Sequence, residues 1–206
     1  MLLKDYFWQF KGVLSKKTCH KIIELGKSQR KQIGVIGKYY NKNLTSKGKK
    51  DLLKKRNSHV VFINSQWVYD LISPYIYHAN INSGWNFEYD WLEAMQFSMY
   101  KKGQFYGWHP DTLPPTVFEA DPKIAGKHRK ISTIVQLSSP DDYSGGDTEI
   151  DPRQNDPDES KPIILYPSKV QGTITCFPSF LWHRVLPVKK GIRYSLILWV
   201  RGKPFK

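Results

Sequence analysis

The chain has 206 residues, 40% of them hydrophobic and 24% charged, with a formal net charge of +14. That length suits one domain with a sizeable core and excludes two ordinary ones, and no apolar run approaches the roughly 20 residues that cross a bilayer as a helix. Two cysteines, Cys19 and Cys176, exclude a disulfide framework and lack metal-binding spacing, while the opening Met-Leu-Leu-Lys-Asp-Tyr lacks a signal peptide's order of charge, apolar core and cleavage site, so the expected location is cytoplasmic.

In chain order, Ser15 is placed to cap a helix over 16–28, with Cys19, Ile22, Ile23 and Leu25 as its buried stripe. Residues 34–50, rich in Gly, Asn and Lys, read as a long loop. His59-Val-Val-Phe-Ile63 reads as a strand, and Asn64 or Ser65 caps a second helix to about Asn80 with Trp67, Leu71, Ile72 and Tyr75 inward. The charge is concentrated in this first part. Residues 1–60 hold 16 Lys and Arg against 3 Asp and Glu, net +13, and residues 61–206 hold 16 against 15, net +1. The cluster Lys47-Gly-Lys-Lys50 to Lys54-Lys-Arg56 suits RNA, DNA or an acidic protein surface, and equally a solvated face that only aids solubility.

From residue 85 the pattern turns to strand and turn, with strands expected at 85–89, 93–101, 131–137, 147–150, 162–165, 172–177, 184–187 and 193–200. Short strands after two helices imply a mainly β fold with flanking helices, a double-stranded β-helix or jelly roll. One domain then spans 1–206, its helical, basic portion (about 1–84) bracing a core of about 85–202. Leu113 to Lys127, with three prolines, is a substrate lid or a plain connection. Asp151 to Glu159 carries clustered acids without the spacing of a calcium loop and reads as a solvated hairpin tip.

Within this frame one constellation carries chemistry. His109 and Asp111, in Tyr106-Gly-Trp-His-Pro-Asp111, project to one side of an extended strand, and His183, in Leu181-Trp-His-Arg-Val185, can complete three corners of a coordination sphere. Two imidazoles and one carboxylate with open positions are the ligand set of non-haem Fe(II) oxygenases. Trp108 and Trp182, each preceding a ligand, are expected to wall the site, and Tyr106 to contact substrate or to pack. Of the other histidines (20, 59, 78 and 128), only His128 competes for a metal position, and it lacks the apolar strand context of His183. Ten residues after His183, Arg193 opens the buried-looking strand Arg193-Tyr-Ser-Leu-Ile-Leu-Trp-Val200. A guanidinium there needs an anion. Ser195, on the same face, can donate to that anion, and a dicarboxylate such as 2-oxoglutarate fits.

The order Tyr100-Lys-Lys-Gly103, His109-x-Asp111, Ser138-Ser-Pro-Asp-Asp-Tyr-Ser-Gly-Gly-Asp147, Phe177-Pro-Ser-Phe-Leu-Trp-His-Arg-Val-Leu-Pro-Val188 and Gly191-x-Arg193 resembles the 2-oxoglutarate/Fe(II) dioxygenases of the prolyl 4-hydroxylase class, nearest to the bacterial PKHD-type hydroxylases. The resemblance covers residues 90–202 well, with weaker echoes back to residue 14. It implies that His109, Asp111 and His183 hold Fe(II), that Arg193 and Tyr100 bind the distal carboxylate of 2-oxoglutarate, and that Ser195 matches an Arg-x-Ser pattern of many relatives. It further implies dioxygen as oxidant, ascorbate as reductant, a protein or peptide substrate hydroxylated at proline, and release of succinate and CO2. The stretch between Asp111 and His183 is longer than usual, with the excess around Asp151–Lys161. Two alternatives stand beside this reading. One is a nucleic-acid demethylase of the same superfamily, served by the basic residues 1–60. The other is a non-catalytic nucleic-acid-binding jelly-roll protein.

Overall fold

Alternation along the longest strand organises the molecule. In the computed structural model, which describes residues 3–29, 32–34, 45–112, 125–153 and 161–205, β13 runs from Val188 to Gly202. Its Leu196, Leu198 and Val200 are fully buried on one face, among apolar side chains of two helices. Arg193, Ser195, Ile197 and Trp199 take the other face and line a cleft. Period-2 alternation therefore divides one strand between core and site. Each buried leucine contributes about 1.5–3 kcal/mol to holding that division.

The elements preceding it are β1 (Trp8–Phe10), α1 (Lys16–Lys27), β2 (Gln32–Ile33), α2 (Ser46–Lys55), β3 (Arg56–Asn57), β4 (His59–Ile63), α3 (Gln66–Asn82), β5 (Trp91–Leu92), β6 (Met95–Lys101), β7 (Phe105–His109), β8 (His128–Gln136), β9 (Tyr143–Gly145), β10 (Thr148–Asp151), β11 (Ile174–Pro178) and β12 (Trp182–Val185). A large antiparallel sheet follows the order β1-β11-β8-β13-β6-β4-β2, with β5 and β9 also pairing β13. A smaller sheet has the order β10-β12-β7-β3. Two antiparallel sheets, with α1 and α3 packed on the larger one and α2 against the smaller, make the expected jelly roll. Among the described residues, no helix is long and apolar enough to cross a membrane.

The helices form for local reasons. Ser15 Oγ accepts the Thr18 amide at 3.1 Å, capping α1 as expected. Its buried residues are Cys19, Ile22, Ile23 and Gly26, with Leu25 half-buried. Gly26 stands there because a Cβ would lie 2.5 Å from the Phe97 ring. In α3 the buried stripe is Val68, Ile72, Ile76 and Ala79, one step round from the expected Trp67, Leu71 and Tyr75, which pack at its margins.

Three expectations need correction. The stretch read as a loop over 34–50 ends in a helix: Thr45 Oγ1 accepts the Gly48 amide at 3.1 Å, and Leu52 is buried. Lysine's good helix propensity outweighs the loop-like composition there; residues 35–44 lie outside the described set. No strand forms at 85–89. Asn80 there takes the backbone groups that a sheet would use, Nδ2 donating to Phe87 O at 3.0 Å and Oδ1 accepting from Phe87 N at 2.9 Å. The alternating burial of Trp85 and Phe87 reflects anchoring, not pairing. Of 162–165, the described residues show only a bridge between Leu165 and Ile150. Most of the expected lid (113–124) and most of the acidic hairpin tip (154–160) fall outside the described residues.

Gly191 sits at φ +73°, where β13 leaves its pairing with β9 and starts toward Arg193, and a Cβ would overlap the Asp142 carbonyl oxygen. Gly191→Ala combines a left-handed conformation with that overlap and is expected to cost about 2 kcal/mol or more of stability, read as a lowered urea midpoint.

Candidate metal and anion site

Register brings the first two ligands together. On the paired strands β12 and β7, His183 lies directly opposite His109, their ring centroids 4.1 Å apart. Each imidazole turns the same way for the same reason. His109 Nδ1 lies 2.8 Å from the Gly107 carbonyl and His183 Nδ1 3.0 Å from the Leu181 carbonyl, each two residues earlier in its own chain. A carbonyl only accepts, so Nδ1 carries the proton and the Nε2 lone pair is left facing inward.

Asp111 closes the group from just beyond β7. Its amide donates to Ser179 O at 2.8 Å, and its Oδ2 accepts from Ser132 Oγ at 2.7 Å, with Ser179 Oγ 2.9 Å from Ser132 Oγ. The carboxylate then stands 3.9 Å from His109 Nε2 and 3.4 Å from His183 Nε2. All three ligand atoms lie within 4.8 Å of one another. Burial would raise the Asp111 carboxyl, but the facing His183 and His109 and the Arg129 guanidinium outweigh it and hold it well below the usual carboxylate range. Burial, then the neighbouring His183, holds His109 well below the ordinary histidine value. A neutral imidazole and an ionised carboxylate facing one point are what a divalent cation requires.

These side chains line a cleft of about 820 Å3, its opening to solvent included. On the deep side, Arg193 is 3% exposed, donating from Nη2 to Thr148 Oγ1 at 3.0 Å and from Nη1 to Ser195 Oγ at 3.5 Å. Its Nε has no acceptor, and no carboxylate neutralises it, among the described residues. A buried guanidinium left in this state is a cradle for a bound carboxylate. Ser195, its oxygen toward Arg193, keeps its own hydrogen for the same anion. The Tyr100 ring is buried 5.7 Å from the guanidinium, on the strand paired with β13.

The expected six residues thus meet in one cleft. The tryptophans do not behave as expected. Trp108 packs under the Arg184 guanidinium, 4.5 Å from its ring, because it faces away from its neighbour His109, and a bulge in the β12–β7 pairing then returns Tyr106 to the His109 side. The same alternation turns Trp182 from the site. Its wall is made by Tyr106, stacked on His109 at 3.4 Å, with Phe62, Ile197 and Trp199. His128 opens β8 opposite Gly202 and takes no part in the cluster. Four residues escaped the sequence reading: Ser132, Thr148, Arg56 and Arg129. None of them left a signal; Ser132 sits in Ile131-Ser-Thr-Ile134, where a second small polar residue stands beside it.

With this geometry in hand, likeness to known proteins becomes informative. Residues 95–201 match the family model described as the 2OG-Fe(II) oxygenase superfamily. A PKHD-type hydroxylase of Synechococcus sp. is 28% identical over 115 residues, 54% of this chain and 44% of that protein. Another, of Idiomarina loihiensis, is 31% identical over 111 residues, 54% of this chain and 43% of that protein. The chain therefore spans under half the length of these curated relatives. Among solved structures, a viral collagen prolyl hydroxylase from Paramecium bursaria Chlorella virus-1 superposes with a TM-score of 0.63 at 22% identity, covering 96% of this chain and 97% of that one. A prolyl hydroxylase from Trichoplax adhaerens, solved with a hypoxia-inducible-factor peptide, gives 0.65 at 17% identity, covering 95% and 83%. At such identities these structures speak for the fold.

Ser132→Ala removes the hydroxyl that orients Asp111 while leaving all three ligand residues. Divalent-metal affinity, measured calorimetrically, is expected to fall roughly 10- to 100-fold with little change in thermal stability.

Proposed function

Because the chain belongs to the 2OG-Fe(II) oxygenase superfamily, we propose that it holds Fe(II) and 2-oxoglutarate in this cleft and hydroxylates a peptidyl side chain, with proline as the target. The observation that carries the reading is the coexistence of two incomplete sites in one cleft. One is an inward-facing set of two imidazole nitrogens and a carboxylate, and the other is a buried guanidinium without an anion among the described residues. Bound iron with 2-oxoglutarate and dioxygen supplies the oxidising chemistry that places a hydroxyl on an unactivated carbon, with succinate and CO2 as co-products.

The chain's own residues supply position and exclusion. His109 and His183 offer Nε2, and Asp111 offers an oxygen kept ionised by its neighbours. Arg193 takes the distal carboxylate of 2-oxoglutarate, with Ser195 donating to it and Tyr100 beside it. Thr148 accepts from one arm of the guanidinium and so fixes its plane. Trp199 and Ile197 on one sheet and Tyr106 on the other keep bulk water from the reacting carbon. The PKHD-type names of the matching relatives and the prolyl hydroxylases among the fold neighbours support a peptidyl target and favour proline. Ascorbate is the reductant proposed with iron and 2-oxoglutarate. The comparisons lend the nucleic-acid alternatives no support, and an intact ligand set argues against a dead site.

The test is succinate formation coupled to a mass increase of one oxygen on proline-containing peptides. Asp111→Ala is expected to abolish both, and full activity in that variant ends the proposal. Arg193→Met is expected to raise the KM for 2-oxoglutarate at least tenfold, since each charged hydrogen bond contributes about 1.5–3 kcal/mol, while leaving metal affinity in place.

A further inference from the structure

The two histidines of the cluster are supported differently. Each has its Nδ1 on a carbonyl two residues earlier, a bond that sets the direction of the ring and resists its tilting only weakly. His183 has Phe177 edge-on against it, ring centroids 4.8 Å apart at 65°. His109 is the more exposed of the two. Its imidazole lies flat on the Tyr106 ring, centroids 3.4 Å apart and planes within 11°. Tyr106 itself belongs to the cleft wall, so a ring that backs a ligand needs a backing of its own.

Arg56 supplies it. β3 sets Arg56 directly opposite Tyr106 on β7, and the guanidinium lies 4.4 Å from the centre of the Tyr106 ring. With an imidazole stacked on one face of that ring, only the other face has room for the guanidinium. The arginine is 4% exposed, and its Nε donates to Ser58 Oγ at 2.9 Å. A Cβ on Gly34 would overlap the same Nε, so the side chain is wedged as well as bonded. Its backbone N–H closes the last turn of α2 on the carbonyl of the buried Leu52. The lysine-rich helix thus ends by placing a flat cation behind the ring that backs a metal ligand. A guanidinium suits this place because it is planar and stacks on aromatic faces, whereas an ammonium is a point charge.

We propose that Arg56 is a positioning residue for the metal, acting through the Tyr106 ring to hold the His109 imidazole in the plane that aims Nε2 at the ion. This rests on the metal-site reading given above. Two effects of the same group compete. Its charge repels a divalent cation, and that repulsion is weakened by the two rings between them. Its clamp acts by direct contact. Groups that orient a metal ligand typically change metal affinity 10- to 100-fold, so the clamp is the larger effect.

Cobalt(II) in place of iron reports both affinity and, through its visible d–d bands, the geometry of the ligands. In Arg56→Leu the calorimetric affinity is expected to fall roughly 10-fold, with altered d–d bands. Tyr106→Leu is expected to lose as much. Adding Arg56→Leu to that variant is expected to cost less than about twofold more, because the ring that carries the effect is gone. Arg56→Lys keeps charge and stem without the flat fork, and serves if the leucine variant does not fold; a loss of about threefold is expected. A rise in affinity in either Arg56 variant would mean that charge outweighs clamp and would overturn the inference. Unchanged affinity and bands, or an undiminished loss in the Tyr106→Leu background, would overturn it too. Each of these outcomes leaves the proposed function standing. Parent protein that binds no cobalt overturns both.

Discussion

Everything at the site depends on the register between β12 and β7. Side chains on paired strands alternate faces, so a slip of one residue would turn His183 away from His109 and bring Trp182 inward. That register is not set by the histidines, whose approach without a metal brings two nitrogen lone pairs together. It is held by neighbours: Val185 opposite Tyr106 in the same pairing, and Ile150, Phe177 and Leu181 packed together behind His183. Apolar packing supplies the free energy that keeps a polar cluster poised in a buried place.

The same division of labour recurs in the large sheet. β13 offers one face to the helices and the other to the cleft, so the residues that stabilise the fold and those that do its chemistry are sequence neighbours with separate duties. Two donors along its inner face, Arg193 Nε and Trp199 Nε1, are left unsatisfied among the described residues. A folded chain rarely leaves buried donors in this state. Ligands that complete them would make binding and stability rise together.

Much of this was legible in the residues. His109, Asp111, His183 and Arg193 announce themselves because each is a polar or charged group in an apolar, strand-forming context, where burial calls for a partner. The jelly roll followed from short strands behind two helices. What escaped lacked a one-dimensional signature. Thr148 and Ser132 matter through cross-sheet partners that no spacing encodes. Trp108 and Trp182 looked like site walls by adjacency, although adjacency on a strand means opposite faces. Arg56 enters the cleft wall only because a lysine-rich stretch, read as a loop, folds as α2 and delivers it to the edge of the small sheet beside Tyr106. The strand expected at 85–89 shows the converse, where one asparagine side chain substitutes for a sheet neighbour.

Glu93 ties these layers together at the outer rim. It accepts both arms of Arg129 from β8 and also Arg201 from β13, while Tyr69 of α3 donates to its backbone carbonyl at 3.0 Å. One residue thus joins a helix through its carbonyl and two strands through its carboxylate. Displacement of either strand would reach the ring of Trp199 through Arg129, so the shape of the cleft wall is tied to a single acid that is not itself part of the lining.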